Sequence, residues 1–209
     1  MALLFQPTLL DNGSDLGCPS IAAGAERTLL SRGAWVEIHR NWVAGSDLLF
    51  ERLMKGVPWR AERRRMYDRI VDVPRLVAFY DEDDPLPDRA LESIRSDLNT
   101  NYQGELGEGF RTVGLCLYRD GADSVAWHGD TIGRSRTEDT IVAIVSLGTP
   151  RRFLLRPRGG GRSQCFELGR GDLFVMGGSC QRTWEHSVPK LARADGPRVS
   201  VQFRPAGVR

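Results

Sequence analysis

Hydrophobic positions change their spacing along this chain. Residues 1–33 are rich in Gly, Ser, Ala and Pro and hold no sustained period, which predicts an irregular lead-in. Ala34–His39 reads as a strand. Ser46–Gly56 has helical spacing, with Leu48, Leu49, Leu53 and Met54 forming an apolar face, Ser46 or Asp47 placed to cap it and Gly56 to end it. Arg75–Tyr80 is a further short strand, and Pro87–Asn101 a second helix with Leu91, Ile94 and Leu98 on one side.

From Phe110 onward the period shortens to that of strands. Candidates are Phe110–Tyr118, Ser124–Trp127, Thr140–Leu147, Arg152–Arg156, Ser163–Glu167, Asp172–Met176 and Arg198–Phe203. Turn residues separate them at Asp120-Gly121, Gly148 to Pro150, Gly159 to Gly161, Gly169 to Asp172 and Gly177-Gly178. Helices followed by many short strands predict an α+β protein with an antiparallel sandwich or jelly roll. The division expected is a lead-in over 1–33, a helical support region over 34–109 and a β-rich core over 110–209, in one structural domain of 209 residues.

Composition adds little to this picture: 41% hydrophobic and 27% charged residues are ordinary for a globular chain. No apolar run approaches the roughly 20 residues that span a bilayer. The first ten residues lack a basic region and a cleavage signature, so no secretory signal is expected. The formal net charge of +2 removes any bulk polyelectrolyte argument for nucleic-acid binding. Positive charge is nevertheless grouped at Arg60 to Arg69 and at Arg151 to Arg162, and Lys occurs only at Lys55 and Lys190. The first group is a candidate phosphate contact, set against a plain solvated face because Glu62 and Asp68 interrupt it. Cys18, Cys116, Cys165 and Cys180 form no CxxC pair and are expected as reduced thiols in a cytoplasmic protein.

Chemistry concentrates in the β-rich half. The chain has three histidines, His39, His128 and His186. His128 and Asp130 are separated by one residue, so in extended backbone they share a face and can reach one metal. His186 is the natural third ligand, giving the two-imidazole, one-carboxylate set of non-haem Fe(II) oxygenases. The bland reading is a chance HxD with structural histidines. In the last strand Arg198, Ser200, Gln202 and Arg204 alternate with Val199, Val201 and Phe203, placing two guanidinium groups on one face, suited to the two carboxylates of a diacid. The plain alternative is an edge strand with surface arginines. No Ser-His-Asp or Cys-His set suggests a nucleophilic enzyme.

These motifs in order resemble the AlkB family of dioxygenases. The matching residues are Leu117-Tyr118-Arg119, Asp123 to Asp130, Gly171-Asp172-Leu173, Trp184 to Lys190 and Arg198 to Arg204, with Asp72 to Leu76 upstream. The resemblance runs from about Trp35 to Pro205. It implies a double-stranded β-helix (jelly-roll) core with the N-terminal helices packed on one sheet, and a substrate lid within 34–109. It implies Fe(II) held by His128, Asp130 and His186, with 2-oxoglutarate and O2 as co-substrates. Arg198 is expected at the far carboxylate of 2-oxoglutarate with help from Tyr118, Ser200 as a hydrogen-bond donor, and Arg204 near the metal-chelating end. The activity implied is oxidative demethylation of N-alkylated bases in DNA or RNA, hence DNA alkylation repair, with the base extruded and stacked. Neither a membrane nor an obligate protein partner is implied.

Four features depart from the family pattern. Residues 81–87 contain no aromatic to stack on a base, leaving Trp59, Tyr67, Phe79 and Tyr80 as candidates nearby. Thr131 and Ile132 follow the HxD where a carboxylate is common, and Cys116 and Ser200 stand where Asn is common. The alternatives carried forward are the same chemistry on a protein side chain or small molecule, and a non-enzymatic β-sandwich module.

Overall fold

The computed structural model describes residues 17, 18, 21, 27–66 and 69–208, with side chains described outside 63–72. Most of the expected lead-in over 1–33 lies outside the described residues, as do Tyr67 and the side chains of most of the basic run from Arg60 to Arg69.

The elements in chain order are β1 (Thr28–Leu29), β2 (Ala34–His39), α1 (Ser46–Gly56), β3 (Arg60–Met66), β4 (Arg69–Tyr80), α2 (Arg89–Leu106), β5 (Thr112–Tyr118), β6 (Val125–His128), β7 (Val142–Gly148), β8 (Arg151–Pro157), β9 (Gln164–Leu168), β10 (Asp172–Gly178), α3 (Cys180–Thr183), β11 (Trp184–Val188) and β12 (Arg198–Arg204). They form two antiparallel sheets. The larger runs β1-β2-β10-β7-β12-β5-β4-β3, the smaller β6-β11-β8-β9. This is the jelly-roll arrangement, with α1 and α2 on the outer face of the larger sheet.

Alternation on the strands explains the layering. Val199, Val201 and Phe203 of β12 and Ala143, Val145 and Leu147 of β7 face the helices, where they pack with Leu49, Phe50 and Leu53 of α1 and Leu91, Ile94 and Leu98 of α2. The opposite face of the same strands meets the smaller sheet. There Val142 and Ile144 of β7 join Phe153 and Leu155 of β8 and Trp184 and Val188 of β11 in a second apolar cluster. β2, β5, β7 and β10 thus serve two cores, and the polar residues of β12 are turned inward between the sheets.

β12 is a central strand, paired along its length with both β5 and β7, so the edge-strand reading of its arginines is wrong. The boundaries of several elements also move. At the start of α1 the chain enters through Gly45 at φ 68, a left-handed backbone that glycine tolerates, and Ser46 and Asp47 fall inside the helix instead of capping it. α2 runs on past Asn101 to Leu106 and stops at Gly107, with buried Tyr102 extending the apolar face and the Thr100 and Asn101 side chains turned back onto the Ser96 and Asp97 carbonyls. Its N-terminus is capped by the Asp88 carboxylate, which accepts from Ala90 N–H at 2.9 Å. The basic run from Arg60 becomes β3, paired with a β4 longer than the expected Arg75–Tyr80. β11 is a further strand that the period did not isolate.

Candidate metal centre

His128 ends β6, Asp130 lies two residues beyond it, and His186 sits in the middle of β11. β6 and β11 pair so that His186 is directly opposite His128, and a register irregularity lets Val125 face Val188 one step later. The two imidazole rings lie 4.3 Å apart, and His128 Nε2 is 3.9 Å from Asp130 Oδ1. One candidate ligand atom from each of the three residues lies within 4.8 Å of the others. Three such atoms on one side of a point suit a facial metal site.

Several contacts hold this triad. Phe153 of β8 stacks on His186, with centroids 5.2 Å apart and planes at 18°. Gln181 of α3 accepts the Asp130 backbone N–H at 3.0 Å, and the Ser135 hydroxyl bonds the Asp130 carbonyl. Gly129 makes the turn possible: a Cβ there would lie 2.4 Å from the Gln181 carbonyl oxygen. Asp130 Oδ2 accepts from Arg204 Nε at 2.7 Å. Burial of Asp130 opposes its ionisation, but the Arg204 guanidinium and the two imidazoles outweigh this and pull the carboxyl well below the usual range. Burial, and next the neighbouring His128, push His186 down to about 3, against the pull of Asp130. A charged carboxylate beside a neutral buried imidazole is the protonation pattern a divalent metal needs.

A cavity of about 60 Å³ opens beside the triad between the two sheets. His128, His186, Val125, Val188, Ile144 and Phe153 line one part. Arg75, Cys116, Tyr118, Arg198, Ser200, Gln202 and Arg204 line the rest. Its lining holds three arginines and no acidic side chain. Arg198 is 1% exposed and donates from Nη2 to Ser146 Oγ at 2.7 Å. Its Nε and Nη1, and Nε of Arg75, are buried without a hydrogen-bond partner among the described residues. Arg198 also lies 5.3 Å over the Tyr118 ring. Burial first, then Cys116, push the Tyr118 phenol up to about 12, so it stays a neutral O–H donor. Buried guanidinium donors without acceptors are costly unless a ligand completes them, and an anion is the ligand that does. The residues present therefore fit both a divalent metal and a carboxylate co-substrate.

The structure thus brings together all seven residues singled out in the sequence: His128, Asp130, His186, Tyr118, Arg198, Ser200 and Arg204. Arg204 stands at the metal end through Asp130, and Arg198 at the Tyr118 end. Three contributors were missed. Arg75 was noted without a role, and its place beside β5 depends on a strand pairing that local sequence does not reveal. Gln181 and Phe153 touch the ligands from elements remote in sequence.

Other expectations are redirected. Arg151, within the second basic group, is 2% exposed and donates to the carbonyls of Asp120, Asp123 and Pro189, so it holds loops together and presents no charge to solvent. Arg156 lies 4.0 Å over the Trp127 ring and pairs with Glu185. Trp59 and Tyr80 pack against the helix-side core, Phe79 is 40% exposed, and none of the three lines the cavity. Ile132 is 67% exposed.

Comparison with known proteins agrees with this geometry. Residues 82–204, more than half of the chain, match the model of the 2OG-Fe(II) oxygenase superfamily. The chain is 30% identical over 178 residues to the alpha-ketoglutarate-dependent dioxygenase alkB homolog 3 of Bos taurus, covering 76% of this chain and 61% of that one. The Homo sapiens protein of the same name is 30% identical over 181 residues, covering 78% and 62%. The DNA oxidative demethylase ALKBH2 of Arabidopsis thaliana is 28% identical over 196 residues, covering 74% and 60%. The chain therefore spans about three-fifths of the length of these relatives. Among solved structures, OsALKBH1 superposes with a TM-score of 0.59 at 14% identity, covering 86% of this chain and 99% of that one. A prolyl hydroxylase from Trichoplax adhaerens gives 0.58 at 13%, covering 81% and 82%, and both support the jelly-roll fold alone. The matched region contains the two imidazoles, the carboxylate and the inward-facing strand of arginines, and this chain belongs to the 2OG-Fe(II) oxygenase superfamily.

Proposed function

We propose that this protein is an Fe(II)- and 2-oxoglutarate-dependent dioxygenase that removes N-alkyl groups from bases in DNA or RNA, acting in alkylation repair. The observation that carries the reading is the meeting of His128, Asp130 and His186 with an acid-free cavity containing Arg198 and Arg204. In this reading His128, Asp130 and His186 hold the iron. Bound iron, with 2-oxoglutarate and O2, would supply the oxidising power for hydroxylating an N-methyl carbon, after which the product loses formaldehyde.

The chain's own residues do the rest. Arg204 keeps Asp130 charged and directed, as a partner to a ligand group does in metal sites. Arg198 neutralises the far carboxylate of the co-substrate, and the Tyr118 phenol donates to it. Val125, Ile144, Phe153 and Val188 exclude bulk water. A nucleic-acid substrate is supported by the similarity to proteins named as DNA oxidative demethylases. A cytoplasmic setting belongs to the same reading, supported by four free cysteines, Cys18, Cys116, Cys165 and Cys180.

Two observations favour a second reading, the same chemistry on a protein side chain or small molecule: exposed Ile132 lies two residues past Asp130, and among the described residues none of the candidates Trp59, Phe79 and Tyr80 lines the cavity. The test is to supply Fe(II), 2-oxoglutarate and single- or double-stranded oligonucleotides with and without 1-methyladenine or 3-methylcytosine, and to measure succinate and formaldehyde. Formaldehyde tied to the methylated oligonucleotides supports the first reading. Succinate formation that ignores them supports the second.

A further inference from the structure

The two cavity arginines that belong to β12, Arg198 and Arg204, are separated by Ser200 and Gln202, which also face inward. Gln202 is 8% exposed and Ser200 3%. The carboxamide of Gln202 folds back along its own strand. Its Nε2 donates to the Ser200 carbonyl at 3.0 Å and to Ser200 Oγ at 2.6 Å. Amide orientation is ordinarily ambiguous between N and O. Here it is settled by chemistry, because a backbone carbonyl only accepts, so the group facing it must be the NH2. Both amide protons are thereby used. Oε1 has only the Cys116 thiol, at 3.9 Å, and the open space over Gly114, where a Cβ would stand 3.0 Å from it.

This arrangement fixes the role of the serine. A hydroxyl has one proton and two lone pairs. One lone pair of Ser200 Oγ receives the Gln202 amide, so the proton cannot be given to Gln202. Among the hydrogen bonds described, Ser200 Oγ donates to no protein acceptor. Its strand neighbours are Cys116 on β5 and Ser146 on β7, and no hydrogen bond from Ser200 Oγ to either side chain is among those described. The Ser200 proton is left for the cavity.

We infer that Gln202 is a positioning residue for the co-substrate: it pins Ser200 with its hydroxyl proton turned inward, as a donor to a carboxylate oxygen held between Arg198 and Arg204. The inference rests on the proposed 2-oxoglutarate reading and deepens it. The carboxamide itself acts through Ser200. It makes a neutral hydroxyl donor in a cavity where the strongest donors are guanidinium groups. Gly114 is part of the same device, since a side chain there would crowd both Gln202 and Arg204 Nη1, the latter 2.8 Å from a Cβ.

The test is a double-mutant cycle on the full-length chain loaded anaerobically with Fe(II), with 2-oxoglutarate affinity measured by calorimetry. Gln202→Leu removes the amide at similar bulk, and Ser200→Ala removes the hydroxyl. Each single variant is expected to weaken 2-oxoglutarate binding about tenfold, the loss of one hydrogen bond to a charged group. The double variant is expected to lose no more than either single one, because both remove the same bond. Affinity for Fe(II) alone stays at the wild-type value. Gln202→Met, which fills the same length without an amide, provides the same comparison if leucine disturbs the sheet. Losses that multiply in the double variant, or wild-type affinity in Gln202→Leu and Gln202→Met, overturn the inference and leave the dioxygenase reading standing. A wild-type chain with no affinity for 2-oxoglutarate overturns both.

Discussion

Arg204 and Asp130, 74 residues apart in sequence, are joined by a 2.7 Å hydrogen bond from Nε to Oδ2. The contact ties the end of β12 to the turn that follows β6, and so links the arginine-lined cavity to the three candidate metal ligands. Arg204 is half-buried and its partner is buried, so the pair is weakly screened.

Arg204→Ala should therefore weaken metal binding before it affects the fold. Removing a group that orients a metal ligand typically costs about 10- to 100-fold in affinity. Titration of the variant with Co(II), followed by its visible absorption, is expected to give a loss in that range. Wild-type affinity would show that Asp130 is held well enough by Gln181 and Ser135 alone.

Arg198→Ala should act on the co-substrate. Its guanidinium is buried, donates to Ser146 and lies over the Tyr118 ring, and its Nε and Nη1 have no hydrogen-bond partner among the described residues, which leaves them for an anion. Loss of a buried charge-assisted contact costs roughly 2–5 kcal/mol. The 2-oxoglutarate concentration for half-maximal succinate formation is expected to rise by more than 30-fold, about 2 kcal/mol. An unchanged requirement would place the co-substrate elsewhere.

Gly129→Ala should damage the site through sterics. The added methyl would meet the Gln181 carbonyl oxygen at 2.4 Å, and that carbonyl belongs to the short helix leading into the His186 strand. Both ligand strands would have to move apart. The expected result is loss of metal-dependent turnover with destabilisation of about 1–3 kcal/mol, the range for overpacking. Full turnover in this variant would mean that the turn after His128 is free to shift.

Glu37→Gln should change the acid limb of stability, far from the metal. Burial raises the Glu37 carboxyl, but His39, Tyr102 and Arg27 outweigh it and hold it at about 2. The Tyr102 hydroxyl donates to Oε2 at 2.6 Å and Arg27 Nε to Oε1 at 2.7 Å. A depressed folded value stabilises fully above the unfolded Glu value of about 4.3. That contribution is lost as the pH falls from there through about 2. The wild-type melting temperature is expected to drop more between pH 6 and pH 3 than that of the variant. Equal drops would assign the acid limb to other carboxylates.

Much of the site was legible because its parts are local. The HxD pair needs one extended stretch, and the inward row Arg198, Ser200, Gln202 and Arg204 follows from the two-residue period of a strand. Whether that row faced solvent or cavity was not legible. It depends on β12 being flanked by β5 and β7, a non-local pairing. The same limit hid Arg75, which enters the cavity only because β4 lies beside β5. The basic run from Arg60, left open between a phosphate contact and a solvated face, forms a hairpin strand, a pairing that charge pattern does not reveal. Charge misled at Arg151, whose guanidinium is consumed by backbone carbonyls. His186 was assigned from its place in the β-rich half together with the family resemblance, since its strand, β11, has too few period-two signals to stand out.

The most direct measurement is anaerobic visible absorption of the Fe(II)-loaded protein as 2-oxoglutarate is added, for the wild type and for Asp130→Ala. Chelation of the metal by the co-substrate produces a charge-transfer band. The account predicts that the band appears and saturates in the wild type, and that it is absent in Asp130→Ala while the variant keeps its fold by circular dichroism. A wild-type protein that shows no band, or an Asp130→Ala variant that shows it undiminished, would contradict the assignment of these three side chains as the iron site.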